Sequence, residues 1–404
     1  MSKKTICFLF ETPILESYYH RYGMNYLEQN GYRILALDLS PILNLSANNS
    51  VTSDLVNYDD KRYSVILSKE QFNSTISGFD SNVLVIVTFS FERKFFFIYK
   101  ELTTQNISYG NLSRMDTGIE ISTKENFGMK LKSYVNNLTL EKVYSSILYR
   151  FPKKWFHLKA ADFIIFGGTQ NSELYYKINL CDERTKVEYI HSFDYEIFLD
   201  IKDKKPSEKL DKYCVFIDQY LPYHPDRSQD DFCINANQYY HELKQFFKLI
   251  EEILNIKVIV SAHPRSDYSK HPDVYEDFTL VKGKTAELIK DCEFAFTHFS
   301  TAVSYAVLFE KPLFFITNDE IDNFPLKRKY VQLYAAELGT SVLNLSQATE
   351  INSLHLLKTL TLNKACYDSY IEHYIKKEFK EVNRFDSFWK RFIELIDGSK
   401  KLSD

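Results

Sequence analysis

Glycine is scarce in this chain, 11 of 404 residues, and neither the Gly-x-Gly-x-x-Gly turn nor the Gly-x-x-x-x-Gly-Lys-Ser/Thr loop occurs. The dinucleotide-enzyme fingerprint and the P-loop are therefore excluded as phosphate cradles. The six cysteines, at 7, 181, 214, 233, 292 and 366, stand far apart with no Cys-x-x-Cys pair, so a zinc site or a disulfide frame is not expected. Positive charge is not in excess: 50 Lys+Arg against 54 Asp+Glu leave a net charge of -4, without the electrostatic footprint of a duplex-binding protein. Long uncharged runs are missing too. The opening apolar run meets Glu11 and Pro13 before it can form a signal-peptide core, and no stretch has the length of a membrane span. A cytoplasmic protein without nucleic-acid partners is the expectation.

Aromatic residues are abundant, 32 Phe and 29 Tyr, and with 45% hydrophobic content they supply ordinary cores for a chain too long for one. Thr5–Phe10 is a β-rich apolar run, residues 18–30 follow with helical spacing, and 33–37 repeat the strand signal. Residues 82–88, 163–168 and 187–191 have the apolar content of strands in a parallel sheet. The charged, Pro-containing stretch 200–212 is the composition of a linker. The pattern then restarts: strands at 214–218, 257–260, 293–297 and 313–316 alternate with helices at 237–254, 285–291 and 302–309. The expected fold class is α/β, with a first domain over 1–199, a linker over 200–212, a second domain over 213–363, and a helical tail over 364–404 packing across both.

Ligands of such sheets collect at strand C-termini, so residues there are candidates. The strand 257–260 runs into Ser261-Ala262-His263-Pro264-Arg265. Proline holds the preceding residue extended, which puts an imidazole and a guanidinium at the sheet rim as partners for a phosphate. A capping histidine in a plain turn is the alternative, and His224-Pro225 and His271-Pro272 repeat the dipeptide without an immediately preceding strand. After the strand 293–297, His298-Phe299-Ser300-Thr301 places Ser300 as an N-cap whose turn offers hydroxyls and free N–H groups to an anion. In the first half, Asp116-Thr117-Gly118 follows a Ser/Asn-rich turn and offers a carboxylate as general base. Glu11 and Asp218, each at a strand end, are the alternative bases.

The ordered set Asp116-Thr117-Gly118, His263-Pro264 and Ser300-Thr301 resembles the three short motifs of bacterial sialyltransferases and polysialyltransferases. Thr117 departs from the second acidic residue of their first motif. The resemblance implies a glycosyltransferase-B (GT-B) fold of two facing Rossmann-like domains, and an inverting transfer of a sialic acid-like or Kdo-like sugar from its CMP ester to a hydroxyl of a surface glycan. It also implies roles: Asp116 as base, His263 as acid or stabiliser of the donor phosphate, and Ser300 with Thr301 binding that phosphate beside Pro264 and Arg265. No metal or other cofactor is implied. The run from His263 through Phe299-Ser300-Thr301 to Lys311-Pro312 also looks like capsule-polymer transferases that use CDP-alditols or CMP-Kdo, so a cytidine nucleotide is common to both resemblances. A CDP-alditol phosphotransferase is the alternative enzyme and a non-catalytic glycan- or nucleotide-binding protein the alternative class.

One segment stands apart from these motifs. Arg150, Lys153, Lys154 and Lys159 interleave with Phe151, Trp155 and Phe156 without an acidic residue, the composition of an anionic-membrane contact, or of a core segment with solvated lysines.

Overall fold

In the computed structural model the described residues are 4–43, 55–112, 115, 119, 157–170, 172–205, 211–224, 233–350, 353–377 and 387–398. The chain forms two compact units. Unit 1 comprises Met1–Met115, Glu120–Ile190 and Asp386–Asp404, and unit 2 comprises Asp116–Ile119 and His191–Phe385.

Unit 1 holds a sheet of seven strands: β1 (Thr5–Phe10), β2 (Arg33–Asp38), β3 (Tyr63–Val65), β4 (Val83–Val87), β5 (Ser108–Asn111), β6 (Phe163–Phe166) and β7 (Lys186–Tyr189). Their order is β3-β2-β1-β4-β5-β6-β7, all neighbours parallel. Every residue of β1 and β4 is buried, as expected for apolar, β-branched strands covered on both faces. The expected helix over 18–30 is instead two short helices, Tyr18–Arg21 and Met24–Gln29, broken where Gly23 takes φ 54°. The helical spacing survives the break because the chain resumes a helix at once.

Unit 2 holds β8 (Tyr213–Ile217), β9 (Lys257–Ala262), β10 (Thr279–Lys282), β11 (Ala295–Thr297), β12 (Leu313–Thr317) and β13 (Val342–Asn344) in the order β10-β9-β8-β11-β12-β13, again all parallel. Side chains of β8 alternate between two cores. Cys214 and Phe216 join Tyr239, Leu243, Phe246 and Phe247 of the helix Ala236–Leu254, while Tyr213, Val215 and Ile217 face Ile289, Val307 and Leu338 of helices on the other side. Counted from its own first strand, the unit 2 sheet runs 3-2-1-4-5-6, the Rossmann order, and the unit 1 sheet runs the same with a seventh strand added, the switch points lying between β1 and β4 and between β8 and β11. The α/β class of two Rossmann-like units expected from the sequence is the class observed.

The expected boundaries move. Helix Phe193–Ile201 belongs to unit 2, because Tyr195 and Ile201 are buried in its core, so the division falls at Ile190/His191 and not within 200–212. The tail is split. Helix Lys364–Tyr370 and the π-helical turn Ile371–Ile375 bury Tyr367, Tyr370, Ile371 and Ile375 in unit 2. Helix Phe388–Gly398 returns to unit 1, where Phe392 packs on Phe163 with ring centroids 6.0 Å apart and Tyr32 donates to Asp397 at 2.9 Å.

Candidate functional site

The C-terminal ends of β9, β8 and β11, three adjacent strands of unit 2, carry the strongest candidates. His263 follows the last residue of β9, half-buried, with Pro264 exposed and Arg265 half-buried beyond it. The turn is closed by Ser266 N–H donating to the His263 carbonyl at 2.9 Å. Arg265 N–H donates to His263 Nδ1 at 3.1 Å, so in the neutral ring the proton sits on Nε2. The His224 ring meets the His263 ring edge-on, centroids 4.9 Å apart and planes at 69°. His224, set aside in the sequence because no strand immediately precedes it, reaches this place on a short connection after β8. His271 lies flat on Tyr223 at 3.6 Å.

Asp218 follows β8 and is buried. Its carboxylate accepts from Tyr220 N–H at 3.0 Å and from the Tyr268 hydroxyl at 2.5 Å, with the Tyr275 hydroxyl at 3.4 Å. The backbone N–H of His263 donates to it as well. Burial pushes the Asp218 carboxyl above the ordinary carboxylate range, and these donors oppose the shift. Gln219, the next residue, accepts the Phe299 N–H on its Oε1 at 2.9 Å. His298, at the end of β11, is fully buried, with Nδ1 donating to the Ile316 carbonyl at 2.8 Å and Nε2 accepting from the Tyr239 hydroxyl at 2.9 Å. Desolvation lowers its pKa to about 4, so it is a neutral structural histidine at pH 7.

Ser300 is half-buried and Thr301 exposed. Ser300 Oγ accepts Ala302 N–H at 3.2 Å and its carbonyl accepts Val303 N–H at 3.4 Å, a hydroxyl-capped turn leading into helix Val303–Leu308. The helix begins one residue later than expected and its N-cap is Ala302, not Ser300, because the Val303, Ser304 and Tyr305 N–H groups bond the carbonyls three residues back and tighten the first turn. The Lys327 ammonium stands 5.8 Å over the Phe299 ring, adding a cation beside the turn. Gln219, Tyr268, Tyr275 and Lys327 carry no signal in the sequence, since nothing in their spacing from His263 or Ser300 marks them as neighbours.

At the unit 1 switch point, Thr88 Oγ1 donates to the Leu9 carbonyl at 2.8 Å, and Glu11 pairs with Lys94 at 3.3 Å, which is also 3.4 Å from Glu92. Asp116, Thr117 and Gly118 lie outside the described residues, as do Arg150, Lys153, Lys154 and Trp155. The neighbouring Ile119 is buried in unit 2, with its N–H on the Tyr334 hydroxyl at 3.3 Å. Among the described residues no group of three or more His, Cys, Asp or Glu side chains stands together as a metal site, and no helix is long and apolar enough to cross a membrane.

No protein-family model and no curated protein sequence matches the chain. Solved structures do. The wall teichoic acid polymerase TagF is 14% identical over 100% of this chain and 90% of that one, with a TM-score of 0.54. A variant of it soaked with CDPG gives 0.51 at 14% identity with the same coverage. A putative UDP-N-acetylglucosamine 2-epimerase from Listeria monocytogenes is 10% identical over 100% of this chain and 98% of that one, with a TM-score of 0.49. At such identities the likeness is one of fold. The chain has two Rossmann-like units of the GT-B class of fold.

Proposed function

We propose that the chain is a metal-independent, inverting glycosyltransferase that moves a sialic acid-like or Kdo-like sugar from CMP to a hydroxyl of a bacterial surface glycan. The observation that carries this is the placement of His263-Pro264-Arg265 after β9 and Ser300-Thr301 after β11, the two strands that flank β8, on one edge of one Rossmann-like sheet. In the transfer the acceptor oxygen bonds to the anomeric carbon, the bond from that carbon to the CMP phosphate breaks, and the acceptor proton passes to a base. The Nε2–H of His263, Arg265 and the Ser300-Thr301 turn stabilise the phosphate as its charge grows. Asp116 is the base proposed for the acceptor proton, with Glu11 the alternative. Asp218 is the weaker choice because its oxygens already meet four donors. Peripheral binding to anionic membrane through Arg150, Lys153, Lys154 and Trp155 belongs to the same proposal.

A second reading, a CDP-alditol phosphotransferase, draws on the wall teichoic acid polymerase among the structures of like fold. Both readings use a cytidine nucleotide. Calorimetric titration with CMP, CDP and UDP is expected to show CMP binding most tightly, and tighter CDP binding favours the second reading. His263→Ala should lower turnover of CMP-sugar by about 10²–10⁴-fold in folded protein. Near-normal turnover in that variant removes His263 from the chemistry.

A further inference from the structure

The two halves of the anion site hang on strands that are not neighbours, since β8 lies between β9 and β11. Something must fix the turn of His263 and the turn of Ser300 relative to one another. Backbone pairing alone does not, because it ends with the strands: β9 at Ala262 and β11 at Thr297. Beyond those ends the chain after β8 contributes two consecutive side chains, and they reach in opposite directions. Asp218 takes up the turn on the β9 side, through the His263 N–H and the Tyr268 hydroxyl, and Gln219 takes up the turn on the β11 side, through the Phe299 N–H at 2.9 Å.

We propose that Asp218 and Gln219 form a clasp of positioning residues, each fastening one half of the anion site to the central strand β8. Asp218 suits this place because a buried carboxylate accepts several bonds at once and donates none. Tyr220, held at φ 54°, returns its own N–H to the same carboxylate and its hydroxyl to the Asp267 carbonyl at 3.1 Å, which ties down the far side of the His263 turn. Gln219 is half-buried and offers its carbonyl oxygen to the amide just before Ser300. The clasp rests on the donor reading above for the anion site and its ligand, and on the structure for the bonds that fasten the two turns.

The test uses the full chain with Asp218→Asn, the milder Tyr268→Phe, and Gln219→Ala, read by amide hydrogen exchange without ligand and by titration with CMP. Asp218→Asn and Tyr268→Phe should speed exchange over 263–266 and leave Phe299 unchanged, while Gln219→Ala should do the reverse. Each should weaken CMP binding by about tenfold for Asp218→Asn and Gln219→Ala, and by less for Tyr268→Phe. The losses should be crossed. That of Asp218→Asn should vanish in a His263→Ala background and persist with Ser300→Ala, and that of Gln219→Ala should persist with His263→Ala and shrink with Ser300→Ala plus Thr301→Ala. Equal additivity in both backgrounds, or a lower melting temperature with local exchange unchanged, overturns the clasp. If the parent binds no CMP, the donor reading fails by itself, and the exchange pattern decides the clasp: side-specific exchange upholds it, uniform exchange overturns it.

Discussion

The His298 ring has one nitrogen on a carbonyl and the other on a hydroxyl, both satisfied by the neutral imidazole, and full burial disfavours the charged form. Its pKa in the folded chain is about 4, against 6.5 for a free ring. Between these values the unfolded chain binds a proton that the folded chain refuses. Stability is therefore full above about pH 6.5 and is lost as pH falls toward 4. For this one group the loss between pH 7 and pH 5 is roughly 2 kcal/mol. Urea unfolding at both pH values should show that increment in the parent and not in His298→Asn, whatever the overall stability of the variant. An equal pH dependence in both would mean the ring is protonated when folded. The same residue shows the limit of a motif: His298-Phe299-Ser300 reads as one cluster in the sequence, yet the histidine faces the core while Ser300 faces the turn.

Among elements, the long apolar strands were legible, while the polar β5 and the short edge strands β3, β10 and β13 were not. β1, β4 and β12 announce themselves by unbroken apolar content, whereas β5 is Ser-Tyr-Gly-Asn and reads as a turn. Tertiary structure makes it a strand: β4 and β6 pair with it, and the buried Asn111 side chain donates to the Phe89 carbonyl at 3.2 Å. Gly110 is there because the Phe163 ring of β6 fills the place of a side chain, with ring carbons 2.1–2.6 Å from where a Cβ would stand. Gly110→Ala should cost about 1–3 kcal/mol or more through overpacking. Gly78, after helix Lys69–Ser77, is the matched control, since its φ is -82° and a Cβ would come no nearer than 3.5 Å to any atom. Gly78→Ala should be neutral or stabilise by about 0.4–1 kcal/mol. Thermal denaturation of the two variants separates a packing glycine from a merely flexible one. In the site, likewise, the strand-end His263 and Ser300 were legible from their flanking runs. Tyr268 and Tyr275 were not, because only the fold carries them back to Asp218.

At the scale of the whole chain, unit 1 is completed by its last helix, although the intervening chain builds unit 2. The sequence showed a helical tail rich in aromatics but not which unit each part would join, since amphipathic spacing states that a face is buried and not against what. The answer lies at Gly23. Indole carbons of Trp389 stand 2.2 Å from where a Cβ on Gly23 would be, and Gly23 also has φ 54°. Two penalties thus meet in Gly23→Ala, a clash that unseats the helix Phe388–Gly398 and a left-handed backbone that costs about 1–2 kcal/mol for a residue with a Cβ. Trp389→Ala removes a side chain only 3% exposed and should cost about 3–5 kcal/mol. The double variant should be less destabilised than the sum, because the missing indole makes room for the methyl group and leaves only the backbone strain. Chemical denaturation of the four proteins of this cycle measures the coupling, and hydrogen exchange should rise first in β1, β2 and β6. A strictly additive cycle would mean that Trp389 does not occupy the space over Gly23, and the docking of the last helix on unit 1 would have to be redrawn.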